Sequence, residues 1–423
     1  MKLKFHNNRS HNLTEYLTKF GWEEVEKDKQ SDFSLWDTYG KEDIASKIKV
    51  WPKEFYSMID CLWTWHTRLE KNNLTHLAPR TITDWEKDKL GPEDFQNGEI
   101  WFFKQIFGVH GKGINLFSTF KEYQEINDYI QKASSMQGPC LQEDLKHHYI
   151  LQQGIVDTNL IQGRKYILRV YTLTLGNGST YLYNDCFYYS ALFPKKYDNK
   201  DCYIGENNKV YPVNVQNKNN KTFVPAKQMR TNVHVSHWHQ QREGQYNIVD
   251  NRIMGILSEL PIYKQVMNNL FRNAREMSKI QTEVLDEYSK CKDKPININL
   301  SNIYQIWGSD YIVEENLGVK CLEINAFPNL SHGDPYKGKA GSKKRPHEIK
   351  FRKNGFDRDL MRRLGFNLEN TNKPNNWVLV NKENLGMKAE DMLLQKQTGQ
   401  KTKTKTKRKR RKSRKGSRRT RRR

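Results

Sequence analysis

Cysteine is scarce in this 423-residue chain, and the six residues, at 61, 140, 186, 202, 291 and 321, include no C-x-x-C pair. Such scattering offers neither a disulfide framework nor a zinc knuckle, so the thiols are expected to be reduced and structural. Long apolar runs are missing too. No stretch approaches the roughly 18 residues that a membrane-crossing helix needs, and the leading MKLKFHNNRSHN has no apolar block of the secretory type. The expectation is a soluble, cytoplasmic chain. A Walker motif, GxxxxGK with Ser or Thr next, is also absent. Acid is lacking from Lys401 to Arg423, where 16 residues are Lys or Arg, leaving only +8 of the formal +24 charge to the first 400 residues. A segment of that composition cannot bury apolar surface and is read as disordered. It suits nucleic acid, a nuclear import receptor or another acidic polymer equally, so nuclear or polyanion-bound locations stay open.

What is abundant is aromatic: 10 Trp, 21 Tyr and 18 Phe, enough to build a core in so charged a chain. Residues 1 to about 95 read as a small α/β unit. Leu13 to Phe20 has helical spacing and stops at Gly21, while Phe33–Trp36 and Thr81–Ile82 are strand candidates. Pro52 is expected to open a helix running through Ile59, Leu62, Trp63 and His66, whose stripe reads as core rather than a ligand site. LGPEDFQNG (90–98) reads as a boundary loop. An apolar strand, Ile100–Phe103, then delivers Lys104 into a loop with Gly108, Gly111, Lys112 and Gly113. That loop could lie over phosphates or be a plain hairpin tip.

Residues 121–136 read as an amphipathic helix and Tyr149–Ile155 as a strand. GRKYILRVYTLTL (163–175) reads as a long strand on which Lys165 and Arg169 share a face with Ile167, Tyr171 and Leu173. Two cations on an apolar face need an anionic partner such as phosphate, unless the strand lies at an edge and they reach water. Tyr181–Phe193 is β-rich, and Lys195–Lys221 is polar. His234, His237 and His239 fit neither helical nor strand spacing for a metal. A helix is expected from about Ile253 to Lys290.

DYIVEENLGVKCLEINAFPNL (310–330) reads as a hairpin with a short polar loop. If Glu314 faces Val319, the pairs run 313 with 320, 312 with 321, 311 with 322 and 310 with 323. Asp310 then opposes Glu323, and Asn325 joins them on one face. Adjacent carboxylates repel, and magnesium bridging phosphates is one reason to place them so. The alternative is that one of them faces solvent.

In order, Lys104 with its glycine loop, LQQGI, GRKYILR, RTN (230–232) and the thirteen-residue Asp310-to-Glu323 spacing ending in LEIN resemble the tubulin-tyrosine ligase-like family. The likeness spans about residues 95–335, with KFHNN, FGWEEV and HLAPRTI resembling that family's leading domain. The resemblance implies an ATP-grasp fold of the α/β (α+β) class. It divides the chain into a leading α/β domain (1–95), a central subdomain (96–150), a C-terminal subdomain (151–340), an extension (341–396) and the disordered basic tail (397–423). It implies ATP and magnesium as cofactors, with Asp310, Glu323 and Asn325 as metal ligands. Lys104, Lys165 and Arg169 take catalytic roles beside the phosphates, Gly111, Lys112 and Gly113 cover them, Gln152, Gln153 and Ile155 hold adenine, and Thr231 adds a contact. The implied chemistry joins Tyr, Glu or Gly to a carboxylate of an acidic protein tail, such as the tubulin C-terminus, through an acylphosphate, and a monomer is expected. Two departures stand out. Ile167 occupies the place of an Asp, and Tyr189 that of an Arg. They keep open an alternative: a catalytically weak binding module whose basic tail attaches to nucleic acid or another polyanion.

Overall fold

The computed structural model describes residues 2–7, 11–26, 31–35, 53–54, 62–85, 87–105, 114–135, 149–195, 202–204, 210–212, 223–224, 253–290, 303–325, 328, 330, 355–369 and 371–381. By compactness the chain divides into Met1–Asn381 and Lys382–Arg423, and all described residues lie in the first unit. The glycine loop at 108–113, the histidines at 234–239, Thr231 and the basic tail fall outside the described residues.

In chain order the leading elements are β1 (Lys4–Asn7), α1 (His11–Lys19), β2 (Glu23–Glu24), β3 (Phe33–Leu35), β4 (Lys53–Glu54), α2 (Leu62–Lys71) and β5 (Thr81–Ile82). α1 stops where the glycine predicts. Gly21 takes φ +82°, its N–H reaches Thr18 O and the Trp22 N–H reaches Leu17 O, the paired bonds of a left-handed helix cap. The Pro52 expectation is corrected: Lys53–Glu54 is a strand, pairing in parallel with Ile303–Tyr304, so no helix opens there.

Next come β6 (Trp101–Gln105), β7 (Ile114–Phe117), α3 (Phe120–Ser135) and β8 (Tyr149–Gln153). β5, β8, β6 and β7 form a four-stranded sheet in that order. One face of it buries Trp101, Phe103 and Leu151 with Trp85, Phe117 and Tyr123. Strand alternation therefore turns Phe102, Lys104, Ile150 and Gln152 to the other face, since Phe102 pairs with Gln152 and Lys104 with Ile150.

The long strand is β9 (Arg164–Leu175), followed by β10 (Thr180–Tyr183), β11 (Phe187–Pro194), β12 (Cys202–Ile204), β13 (Val210–Pro212), β14 (Phe223–Val224), β15 (Ile253–Ile256), α4 (Tyr263–Lys290), β16 (Ile303–Val313), β17 (Val319–Asn325), α5 (Phe356–Arg363) and β18 (Trp377–Leu379). The main sheet runs β15-β11-β9-β16-β4-β3-β1-β2, with β17 on β16, β10 on β9 and β18 on β10. β9 is central. It pairs with β16 from Ile167↔Ile312 to Leu175↔Tyr304, and its other side holds β11 and then β10. Burial on both faces explains why its sequence is a near-continuous apolar run. The helix expected from Ile253 instead begins at Tyr263. Ile253–Ile256 pairs with Ser190–Phe187 as a strand, and Pro261 stands just before the helix.

α4 covers one face of this sheet. Gln281 Nε2 donates to Thr172 Oγ1 (3.1 Å), and Tyr311 OH to Met277 Sδ (2.8 Å). On the opposite face Tyr171 and Leu173 join Phe5, Leu13, Phe33, Tyr304 and α5 in one core. Phe356 of α5 packs edge-on against Tyr183 at 4.9 Å and Tyr171 at 5.3 Å. Asp359, wholly buried, pairs with Arg358 (2.8 Å) and accepts Asn376 N (3.1 Å) and Nδ2 (2.7 Å), tying α5 to the segment that enters β18. Asp359→Ala strands a buried guanidinium and should lower the unfolding free energy by about 3 kcal/mol. Urea denaturation checks this; a change under about 0.5 kcal/mol would show that the clamp contributes nothing.

Candidate nucleotide and metal site

The hairpin differs from the expected register in an instructive way. Val313 pairs with Val319, Ile312 with Lys320 and Tyr311 with Cys321, one residue off the expected pairs. A bulge then intervenes, and Asp310 does pair with Glu323, Ser309 with Ile324 and Gly308 with Asn325. Leu322 is the extra residue, so Leu322 and Glu323 together oppose Asp310 and share its face. The expected pair is present, but it is reached through a slipped turn corrected by a bulge. Pro328 closes over the end of the pair: a Cβ on Gly308 would lie 2.5 Å from Pro328 Cβ, so only glycine fits there.

Asp310 is fully buried, and Arg169, its neighbour across β9 and β16, grips it with both forks: Nε to Oδ1 at 2.5 Å and Nη2 to Oδ2 at 3.0 Å. The strand cation thus finds its anion within the chain. Burial opposes the charge on Arg169, but Asp310, with smaller help from Tyr189 and Tyr171, outweighs it and raises the guanidinium pKa. Asn325 donates to Gly308 O (3.2 Å) and weakly to Glu323 Oε1 (3.4 Å), which orients its amide. Two carboxylates and an amide are all hard oxygen donors. They fit magnesium, which takes few protein ligands and fills its octahedron with water and phosphate oxygens. Among the described residues no group of three or more His, Cys, Asp or Glu is disposed to hold a metal ion.

Lys104 is 5% exposed, and its Nζ donates to Gln152 Oε1 at 2.5 Å. Burial lowers the Lys104 pKa, while Glu323, Asp310 and Cys321 pull it back up, so the ammonium lies within the field of the carboxylate corner. The other end of the Gln152 amide meets His66 Nε2 (3.3 Å) and Thr81 Oγ1 (3.2 Å). Lys165 lies on β9 with 9% exposure, on the face of Ile167 and Arg169. Gln153, Gly154 and Ile155 line a pocket with Ala78, Pro79, Arg80, Glu314 and Lys320.

The two departures meet in space. Ile167 pairs with Tyr189 and clusters with Ala191, Ile312 and Leu322, with Ile155 and Tyr189 packed at the margin. An aspartate at 167 would be buried without a partner among these side chains, so the isoleucine suits its surroundings. Sequence reading missed His66 and Thr81. His66 sits in an aromatic-rich helix, and nothing in its spacing reveals that α2 brings it against β8. Gly111, Lys112, Gly113 and Thr231 belong to undescribed segments.

His66, 3% exposed, is held neutral down to a pKa of about 3, first by burial and then by the Lys104 charge. Its pKa is depressed from 6.5, so folding excludes a proton that the unfolded chain binds. This costs nothing above pH 6.5, where both states are neutral, and lowers stability progressively as pH falls from 6.5 towards 3. Between pH 6.5 and 5, His66→Phe should therefore show a shallower fall in unfolding free energy than the wild type. Denaturant titrations at each pH measure this, and parallel slopes would contradict it.

The sequence profile of the tubulin-tyrosine ligase family matches residues 41–340. No curated protein matches the chain in sequence. Among solved structures, it is similar to the C-terminal domain of Pby1 from K. lactis, described as an ATP-grasp enzyme interacting with the mRNA decapping enzyme Dcp2. Identity is 16% and the TM-score 0.49, over 90% of this chain and 99% of that one. A family match across more than half of the chain, embracing β6 to β17 and every residue of the carboxylate corner, means that the chain belongs to the tubulin-tyrosine ligase family.

Proposed function

We propose that this protein is an ATP- and magnesium-dependent ligase. It forms an amide bond between a carboxylate of an acidic protein tail, with the tubulin C-terminus as the type of acceptor, and the amine of Tyr, Glu or Gly. The observation that carries the reading is Asp310 and Glu323 side by side with Asn325, with Lys104 and Arg169 directed at the same corner. The family match supports an ATP-dependent ligase in general terms. Magnesium, held by Asp310, Glu323 and Asn325, would neutralise phosphate charge. Lys104 and Lys165 bind and orient phosphates, and Arg169 holds the Asp310 carboxylate in place. The acceptor carboxylate attacks the terminal phosphorus of ATP, ADP leaves and an acylphosphate forms; the amine then attacks its carbonyl, the C–N bond forms as the C–O bond to phosphate breaks, and the amine's proton goes to the departing phosphate. The backbone from Gln152 to Ile155 is assigned to adenine, Gly111, Lys112 and Gly113 to the phosphates, and Thr231 to a further contact. The domain limits at 95, 150, 340 and 396 belong to the same proposal, as do a monomeric, cytoplasmic protein and attachment of residues 401–423 to nucleic acid or another polyanion. Among the described residues no helix is long and apolar enough to cross a membrane.

One observation favours a second reading, a catalytically weak binding module. The positions of an expected aspartate and arginine are here Ile167, in an apolar cluster, and Tyr189, packed against that cluster. Incubation with ATP, magnesium, tubulin and labelled Tyr, Glu or Gly separates the two. The ligase incorporates label, and Glu323→Gln lowers incorporation at least about 100-fold, as loss of one phosphate-neutralising ligand predicts. MgATP binding without incorporation of any amino acid would instead support the module.

A further inference from the structure

We infer that His66 is a positioning residue for the phosphate end of the site: by accepting a hydrogen bond from the Gln152 amide, it fixes the Gln152 carbonyl oxygen on Lys104 and so sets where the ammonium points. The inference rests on the reading of Lys104 as a phosphate ligand. A glutamine amide has one accepting end and one donating end, so its orientation is all or none. Lys104 is a buried donor with no capacity to accept, and takes the Gln152 Oε1. The Gln152 NH2 must then find two acceptors. Thr81 is one. Its hydroxyl hydrogen goes to Pro79 O (2.9 Å), leaving Oγ1 to accept from Gln152 at 3.2 Å. His66 Nε2, at 3.3 Å, is the other, and it can accept only with the ring proton on Nδ1.

The opposite tautomer reverses the chain. With a proton on Nε2, His66 donates and the amide turns over, so that its NH2 confronts the Lys104 ammonium: two donors facing each other in a buried site. His66 and Gln152 are both nearly inaccessible, so water cannot substitute for the lost acceptor. The Lys104 charge also disfavours a protonated imidazole, so lysine and histidine reinforce one arrangement. The anchors come from α2 and β5, which precede β6 and β8, the strands carrying Lys104 and Gln152, in the chain. His66 and Thr81 of the leading part of the chain therefore contribute to nucleotide affinity through Gln152 and Lys104.

The test uses the full chain, histidine-labelled with 15N, and MgATP as the probe. Two-bond 1H–15N correlation should show His66 protonated on Nδ1 and bare on Nε2. Calorimetry should show His66→Phe binding MgATP about tenfold more weakly, the cost of one misdirected hydrogen bond. His66→Gln, whose Oε1 can replace Nε2 as acceptor, should recover most of that loss. A proton on Nε2 would overturn the inference, and so would wild-type affinity in a folded His66→Phe, or equal losses in the two variants. Should His66→Phe fail to fold, the wild-type tautomer and the affinity of His66→Gln decide. No MgATP binding by the wild type would instead overturn the ligase reading, on which the inference rests.

Discussion

A carboxylate with no exposure to water must be neutralised by something, and in this protein that requirement fixes the centre of the molecule. Asp310 is gripped by both forks of Arg169, which couples β9 to β16 across the middle of the main sheet. Stripping one partner from such a pair costs far more than the pair itself contributes. The arrangement therefore holds together or fails together. Everything proposed for the site depends on it: Glu323 has a fixed neighbour to face, and Lys104 feels two carboxylates held at defined positions.

Around this pair the environment divides sharply. Towards Lys104 the groups are polar and linked, running from His66 through Gln152. Towards Ile167 they are apolar, with Ala191, Ile312 and Leu322 forming a patch that reaches Ile155. The bulge at Leu322 allows both. One extra residue lets an apolar side chain and Glu323 occupy the same face in succession, which strict alternation forbids. Carboxylate and apolar surfaces are thus built from consecutive residues of one strand.

Much of this was legible from sequence because it is local. The β9 run, the Gly21 stop and the Lys104 strand all follow from periodicity and turn chemistry within a dozen residues. The Asp310–Glu323 pairing was also legible, though not through the register assumed, because a bulge leaves no mark in a short apolar stretch. Two local readings failed where partners distant in sequence decide the outcome. Ile253–Ile256 became a strand because β11 offers an edge, and Lys53–Glu54 became one because β16 does. His66 was hidden for the same reason, since its partner Gln152 lies 86 residues away.

The central claim is that the Asp310 corner binds magnesium together with the phosphates of ATP. Crystals grown with manganese and a non-hydrolysable ATP analogue, measured at the manganese absorption edge, test it directly. The account predicts an anomalous peak between the Asp310 and Glu323 carboxylates, with Lys104 Nζ in contact with analogue phosphate. A bound analogue whose metal is held away from these residues, with both carboxylates uncoordinated, would contradict it.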